Sequence, residues 1–224
     1  VHDPDDEHWG FKSWNDFFTR RLKDGQRPVA SPDDDSVIVS ACESTPYRIA
    51  TNIAHRDRFW IKHQPYSLCD MLANDESVDQ FVGGTVYQAY LSAMKYHDWH
   101  SPVAGTIVRA FVQPGTYFSE TVSKSWDALK PPDSQSYMAH VSARAILLIE
   151  ADNPVIGLMA LVAVGIGEVS STLIGEHIKP GYHVDKGEEL GYFQFGGSTH
   201  CLVFRPGATA DFNFSAIPQS DYGH

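Results

Sequence analysis

Three places in the 224-residue chain hold side chains able to do nucleophilic or acid–base chemistry. One is Ser198, which follows two glycines in F-G-G-S-T and precedes an apolar run ending at Phe204. Glycine admits positive φ and close approach of other groups, so a strand interrupted by Gly196 and Gly197 marks a bulge or a site. A serine hydroxyl is a weak nucleophile until an adjacent base holds its proton. The second place is the pair His97 and His100, three residues apart in M-K-Y-H-D-W-H-S-P-V-A-G. As metal ligands they would need further partners; with no H-E-x-x-H and no cysteine cluster in the sequence, no metal is expected. By residue type alone they are equally core or surface histidines. The third is F-W-I-K-H-Q-P-Y at 59–66, where Trp60 and His63 either pack in the core or line a substrate mouth.

These side chains must be held by elements that the hydrophobic pattern outlines. Residues 11–22 place Trp14, Phe17, Phe18 and Leu22 at helical spacing behind Ser13, a capping residue, and predict an amphipathic packing helix. Residues 37–39 and 47–50 predict strand on either side of S-A-C-E-S, in which a lone Glu43 reads as solvated surface. A short helix is expected at 66–73, a strand at 82–92 and a hairpin at 106–118 turning on Pro114-Gly115. Residues 119–136 form a long polar loop, a lid or an insertion. The runs 145–150 and 155–166, joined by the turn signal Asn153-Pro154, are too continuously apolar for a surface and predict the centre of a sheet. The expected fold class is α+β: one β-rich, mostly antiparallel domain over 1–224 with a few short helices.

Composition narrows the function. With 28 acidic against 17 basic residues the net charge is −11, the wrong sign for nucleic acid or for an anionic leaflet. The longest apolar run, at 155–166, falls short of the roughly 18 residues a membrane helix needs. Three cysteines, Cys42, Cys69 and Cys201, without C-x-x-C spacing suit packed thiols in a reducing compartment, so a cytoplasmic setting and no membrane partner are expected. The chain starts at Val1, and this says nothing about an anchor further upstream in the parent protein.

The string K-G-E-E-L-G-Y-F-Q-F-G-G-S-T at 186–199 resembles the processing segment of the phosphatidylserine decarboxylase family, and Y-H-D-W-H-S-P-V-A-G resembles that family's paired-histidine motif. N-D-F-F-T-R-R-L followed by Arg27-Pro28 is similar to its entry signature. Departures exist: the family form L-G-S-T is here F-G-G-S-T, the acid of S-P-x-D-G is here Glu43, and of N-E-R only Arg144 remains. The resemblance implies a cut between Gly197 and Ser198, separating 1–197 from 198–224, with Ser198 becoming a covalent pyruvoyl cofactor. It implies His100 as base, Glu43 as the acid that orients it, and His97 as general acid in the later decarboxylation. The pyruvoyl ketone would condense with an amino acid as a Schiff base and draw electrons from its α-carbon, as pyridoxal phosphate does elsewhere. Substrate contacts would fall to Trp60, His63 and Thr199, whose hydroxyl or amide is also a candidate oxyanion donor.

The Glu at 43, the F-G-G-S-T form and the absence of an apolar anchor or basic contacts are more like the soluble fungal branch of the family, typified by the L-tryptophan decarboxylase of psilocybin biosynthesis. An aromatic L-amino acid is therefore the expected substrate, with phosphatidylserine the alternative; the partners are this small molecule and the chain's own cleaved segment, a homodimer being left open. A biotinyl or lipoyl carrier is the remote alternative, because S-P-V-A-G-T-I-V and K-P-G-Y-H-V-D-K-G look like its half-motifs. Those halves lie far apart and lack the modified lysine, and a serine hydrolase would need a G-x-S-x-G elbow.

Overall fold

The computed structural model describes residues 5–23, 25–56, 66–92, 95–117, 135–166, 171–194, 197–208 and 211–212. Its frame is a seven-stranded sheet built from β1 (Thr45–Thr51), β2 (Thr85–Leu91), β4 (Gly105–Gln113), β5 (Arg144–Ala151), β6 (Leu158–Ile166), β8 (His183–Val184) and β10 (Gly197–Phe204). The order is β1-β2-β10-β6-β5-β4-β8, and every neighbouring pair is antiparallel. A second, three-stranded antiparallel sheet of β3 (Asp98–His100), β9 (Glu189–Gln194) and β7 (Ser171–Ile174) has the strand order β3-β9-β7. The α+β, β-rich expectation holds.

Both faces of the large sheet are covered, and this accounts for the unbroken apolar runs of β5 and β6. Alternate residues along a strand point to opposite faces. Tyr87, Ala89 and Leu91 of β2, Leu161 and Ala163 of β6 and Leu202 and Phe204 of β10 share one cluster with Trp99, Leu190 and Phe193 of the small sheet and with Phe18. Val86, Val162, Val164, Ile166, Cys201 and Val203 share the other with Leu68 and Met71 of α2 (Leu68–Met71) and Met138 and Ala139 of α3 (Gln135–Val141). Each fully buried aliphatic side chain in these layers contributes roughly 1.5–3 kcal/mol. Arg144 ties the helical layer to β5: its buried guanidinium donates to the carbonyls of Asp70, Met71 and Ser142. Burial pushes its pKa down to about 10.

Several elements differ from expectation. The first helix, α1 (Trp14–Phe18), has the Ser13 cap accepting from the Asp16 amide at 3.0 Å, yet it spans five residues. The Thr19 hydroxyl bonds back to the Asn15 carbonyl, a competitor of helix continuation, and Phe18 is the helix's one buried side chain. Residues 37–39 form no strand; Val39 donates a single backbone bond to Pro102. Pro114-Gly115 does not turn a hairpin, because β4 ends at Gln113 and the chain runs on to bridge Thr116 to Ser142. A Cβ on Gly115 would lie 2.4 Å from the Ser142 carbonyl carbon, so the glycine serves close packing there. Residues 135 and 136, read as the end of the loop, open α3 (Gln135–Val141). The rest of the expected lid, 118–134, lies outside the described residues.

Candidate active site

Ser198 lies near the start of β10, the strand between β2 and β6, in register with Leu91 on one side and Gly165 on the other. It is 2% exposed, and its Oγ has no hydrogen-bond partner among the described residues. A buried hydroxyl without a partner costs about 1–3 kcal/mol, so such an atom in a native core points to a function. Gly197 before it is open on the side a Cβ would take, the nearest atom being the Ile166 carbonyl oxygen at 3.8 Å. By strand alternation Ser198 and His200 face the small sheet, whereas Thr199 faces the helices.

That alternation fixes the environment of Thr199. Its hydroxyl donates to the Ala89 carbonyl at 2.8 Å and accepts from Gln88 Nε2 at 3.1 Å. Gln88 in turn accepts from the Tyr66 hydroxyl, which also receives the Ser136 hydroxyl. The hydroxyl of Thr199 is thereby engaged on the face opposite Ser198, and its backbone sits between Tyr90 of β2 and Val164 of β6 in the sheet ladder.

The two histidines come from the segment after β2. Trp99 packs on Gly191, its register partner in β9, where a Cβ would meet the indole Cζ2 at 2.4 Å and the Leu173 carbonyl at 2.2 Å. This contact anchors β3 and with it the imidazoles on either side. His97 is fully buried, its Nδ1 against the Lys95 carbonyl at 2.8 Å and its ring stacked on Phe18 at 4.1 Å and edge-on to Phe193 at 6.3 Å. His100 is partly buried. Its Nδ1 lies 2.9 Å from the Gly187 carbonyl, so Nδ1 carries a proton, and its Nε2 lies 3.2 Å from the Tyr96 hydroxyl. The Asp98 side chain also interacts with the Tyr96 hydroxyl. Asp98 is 3% exposed, and burial, reinforced by Glu189, holds its pKa up at about 6 despite Tyr96 and Arg21.

Glu43 stands beside this group without touching His100. Its carboxylate bridges Arg27 at 3.1 Å and Lys95 at 3.5 Å. The Ala41 carbonyl, two residues earlier, accepts the His100 amide at 2.8 Å, and Ser44 is hydrogen-bonded to Tyr87 of β2. The segment is therefore tied to both the imidazole strand and the large sheet. Trp60, His63 and Gly196 lie outside the described residues.

The sequence reading passed over His200. It is fully buried on the Ser198 face, neither ring nitrogen has a hydrogen-bond partner among the described residues, and Tyr87 meets it edge-on at 5.9 Å. Burial alone pushes its pKa down to about 4, which keeps the ring neutral. The signal was available, since i and i+2 of one strand share a face. Tyr96 and Asp98 were missed too, although they interleave with the two histidines in sequence. Among the described residues no cluster suited to a metal ion occurs, all three cysteines are free and buried, and no helix is long and apolar enough to cross a membrane.

Comparison with known proteins gives a family. The sequence model of a family described as phosphatidylserine decarboxylase matches residues 14–223. The chain is 45% identical over 224 residues to the decarboxylase iboD of Amanita muscaria, covering 94% of this chain and 63% of that protein. It is 38% identical over 215 residues to an L-tryptophan decarboxylase of Psilocybe cubensis, covering 91% and 48%. A phosphatidylserine decarboxylase proenzyme of Bacillus cereus is 34% identical over 194 residues, covering 87% and 68%. The chain thus spans about half to two thirds of the length of these relatives.

Proposed function

The chain belongs to the phosphatidylserine decarboxylase family, and from that premise we propose that it is a self-processing, pyruvoyl-dependent decarboxylase of a free amino acid. The observation that carries the reading is the buried hydroxyl of Ser198, without a partner among the described residues, behind Gly197 on the central strand. In the proposed processing, Ser198 Oγ adds to the Gly197 carbonyl carbon, and its proton passes to His100 Nε2. The C–N bond breaks, leaving an ester and a free amine at residue 198. Loss of the Ser198 α-proton then expels the Gly197 carboxylate and separates 1–197 from 198–224. Hydrolysis releases ammonia and leaves a ketone at position 198. Pairing of β10 on both sides is what would hold the short segment in place after the cut.

The residues around Ser198 fit a pyruvoyl group: its hydroxyl has no hydrogen-bond partner among the described residues, and Gly197 leaves space for a rearranging backbone. Such a group supplies an electron-accepting carbonyl to which a substrate amine attaches while carbon dioxide leaves. His97 is the proposed donor of the proton that replaces the lost carboxylate, and its burial against Phe18 keeps water from competing. Glu43 is proposed to act on His100 by anchoring the 41–44 segment through Arg27 and Lys95.

The name of the Psilocybe relative points to L-tryptophan as the kind of substrate, and the net charge of −11 disfavours a site that works on an anionic leaflet. An aromatic L-amino acid is the proposed substrate, and the three free thiols favour a cytoplasmic setting. Denaturing mass spectrometry is the first test: the unsubstituted chain separates at 197/198, whereas Ser198→Ala remains at 24.9 kDa. Incubation with L-tryptophan, L-tyrosine or phosphatidylserine, with amine product scored before and after hydroxylamine, tests the chemistry. An intact wild-type chain that still turns over, or turnover indifferent to hydroxylamine, refutes the reading.

A further inference from the structure

His100 Nε2 is the ring nitrogen left to act as base, because Nδ1 is committed to the Gly187 carbonyl. Yet Nε2 is itself in hydrogen-bond contact with the Tyr96 hydroxyl, and Tyr96 also contacts Asp98. A tyrosine hydroxyl has one proton. Two acceptors, the Nε2 lone pair and the Asp98 carboxylate, therefore compete for it. When the proton points to Asp98, Nε2 is open; when it points to His100, the base is masked.

We propose that Asp98 is a positioning residue for the proposed self-cleavage: by accepting the Tyr96 hydroxyl proton it keeps His100 Nε2 available to take the proton of Ser198. The inference rests on the self-processing reading given above. Only a proton is re-aimed; no covalent bond changes until Ser198 Oγ attacks. Several features support it. Asp98 and Tyr96 are both buried, so water does not substitute for either contact. Tyr96 keeps its proton, since burial and the neighbouring Asp98 raise its pKa well above the usual phenol range. Glu43, the acid expected to orient His100, is held by Arg27 and Lys95 instead. The charged groups that face Asp98 are Glu189 of β9, which discourages its ionisation, and Arg20 and Arg21 beyond α1, which favour it. Arg21 is itself paired to Glu189 at 3.2 Å, and Glu189 is the register partner of His100. With its pKa raised to about 6, Asp98 is an ionised and strong acceptor at neutral pH and a protonated, weaker one in acid.

The test is a double-mutant rescue. Newly synthesised chains from cell-free translation are transferred to pH 8, and cleavage is followed by gel. Asp98→Leu leaves Tyr96 with His100 as its one acceptor and is expected to slow cleavage on the order of a hundredfold, the lower end of a general base's contribution. Asp98→Asn, a weaker acceptor, falls between. Tyr96→Phe removes the mask, so the Asp98→Leu/Tyr96→Phe double variant regains a rate within about tenfold of the unsubstituted chain. A purely structural role for Asp98 predicts a double variant slower than either single one, and that result overturns the proposal. A second readout does not depend on cleavage. In Ser198→Ala chains at pH 9, the ¹⁵N resonance of His100 Nε2 moves to its hydrogen-bonded position in Asp98→Leu and returns in the double variant. An unmoved resonance also overturns the proposal. Failure of the unsubstituted chain to cleave, with the resonance moving as described, refutes the self-processing reading and leaves the Asp98–Tyr96–His100 coupling standing.

Discussion

Lowering the pH from 7.5 to 5 is expected to cost the folded chain about 3 kcal/mol, and one of the two equal main shares, removable by a single substitution, belongs to His200. His200 and His140 are both buried, and burial lowers each pKa from 6.5 to about 4; for His140 the nearby Arg144 adds to the effect. A depressed histidine pKa means that the unfolded state takes up protons first. Stability is therefore intact above pH 6.5, declines as the pH falls, and stops declining below about 4. A gap of this size saturates at about 3 kcal/mol for each ring and reaches about 2 kcal/mol for each at pH 5. Asp98 opposes it. Its pKa is raised from 3.8 to about 6, so its ionisation weighs against the fold above pH 6, and acid returns about 1 kcal/mol by pH 5. His183, exposed and raised by its ion pair with Asp152, also works against the loss, but weakly.

The measurement is urea unfolding of the Ser198→Ala chain, which stays a single polypeptide, followed by tryptophan fluorescence at pH 7.5 and pH 5. With an m-value of roughly 2–3 kcal/mol/M for a chain of this size, the expected midpoint drop is about 1 M. His200→Leu removes two buried polar atoms that have no partner among the described residues and leaves a side chain of similar bulk. Stability at pH 7.5 should hold or rise, and the loss on acidification should shrink by about 2 kcal/mol. If His200→Leu shows the same pH dependence as its parent, the ring is not buried neutral and the description of that face of β10 fails.

Two further outcomes separate the roles of the imidazoles from the strand that carries them. His97→Ala should still separate into two pieces yet release no amine, while His100→Ala should stay intact; normal processing in both, read by denaturing mass spectrometry, defeats this division. Gly191→Ala forces a methyl into Trp99 and the Leu173 carbonyl, and should cost about 1–3 kcal/mol in urea unfolding and slow cleavage through β3, whereas an unchanged midpoint would show that Trp99 does not anchor the histidines.

The parts of the fold that were legible are those where burial acts on a whole element. Residues 144–151 and 158–166 are apolar at almost every position because sheet and helices cover both faces, and no surface strand could carry such a run. Elements whose identity depends on a few partners were not legible. The sequence Q-S-Y-M-A-H-V has little apolar periodicity, and its helical state rests on Met138 and Ala139 meeting the face of β6 and β10. Residues 11–22 have the opposite problem: the periodicity is strong, but Trp14 is 49% exposed and contributes no core, so nothing rewards extending the helix past Phe18. The histidine pair could be found from its spacing. Its partners could not, because Tyr96 and Asp98 acquire a role only when β3 brings His100 back over them.

Strand parity decides which hydroxyl faces the small sheet, and it also bears on the additional glycine in F-G-G-S-T. A shift of one residue along β10 would send Ser198 to the helical face and bring Thr199 to the side of the small sheet. The register excludes this on packing grounds. Cys201 and Val203 fill the helical cluster, and Leu202 and Phe204 fill the other; a slip would move all four at once. Such a change exchanges matched volumes for mismatched ones at four buried positions, and single misfits of that kind already cost about 1–3 kcal/mol each. The apolar tail from Cys201 to Phe204 therefore sets the position of Ser198 more firmly than the glycines before it do. An extra glycine upstream alters the entry to the strand and leaves the serine facing the small sheet, together with His200 and on the side of Phe18 and Phe193, against which His97 packs.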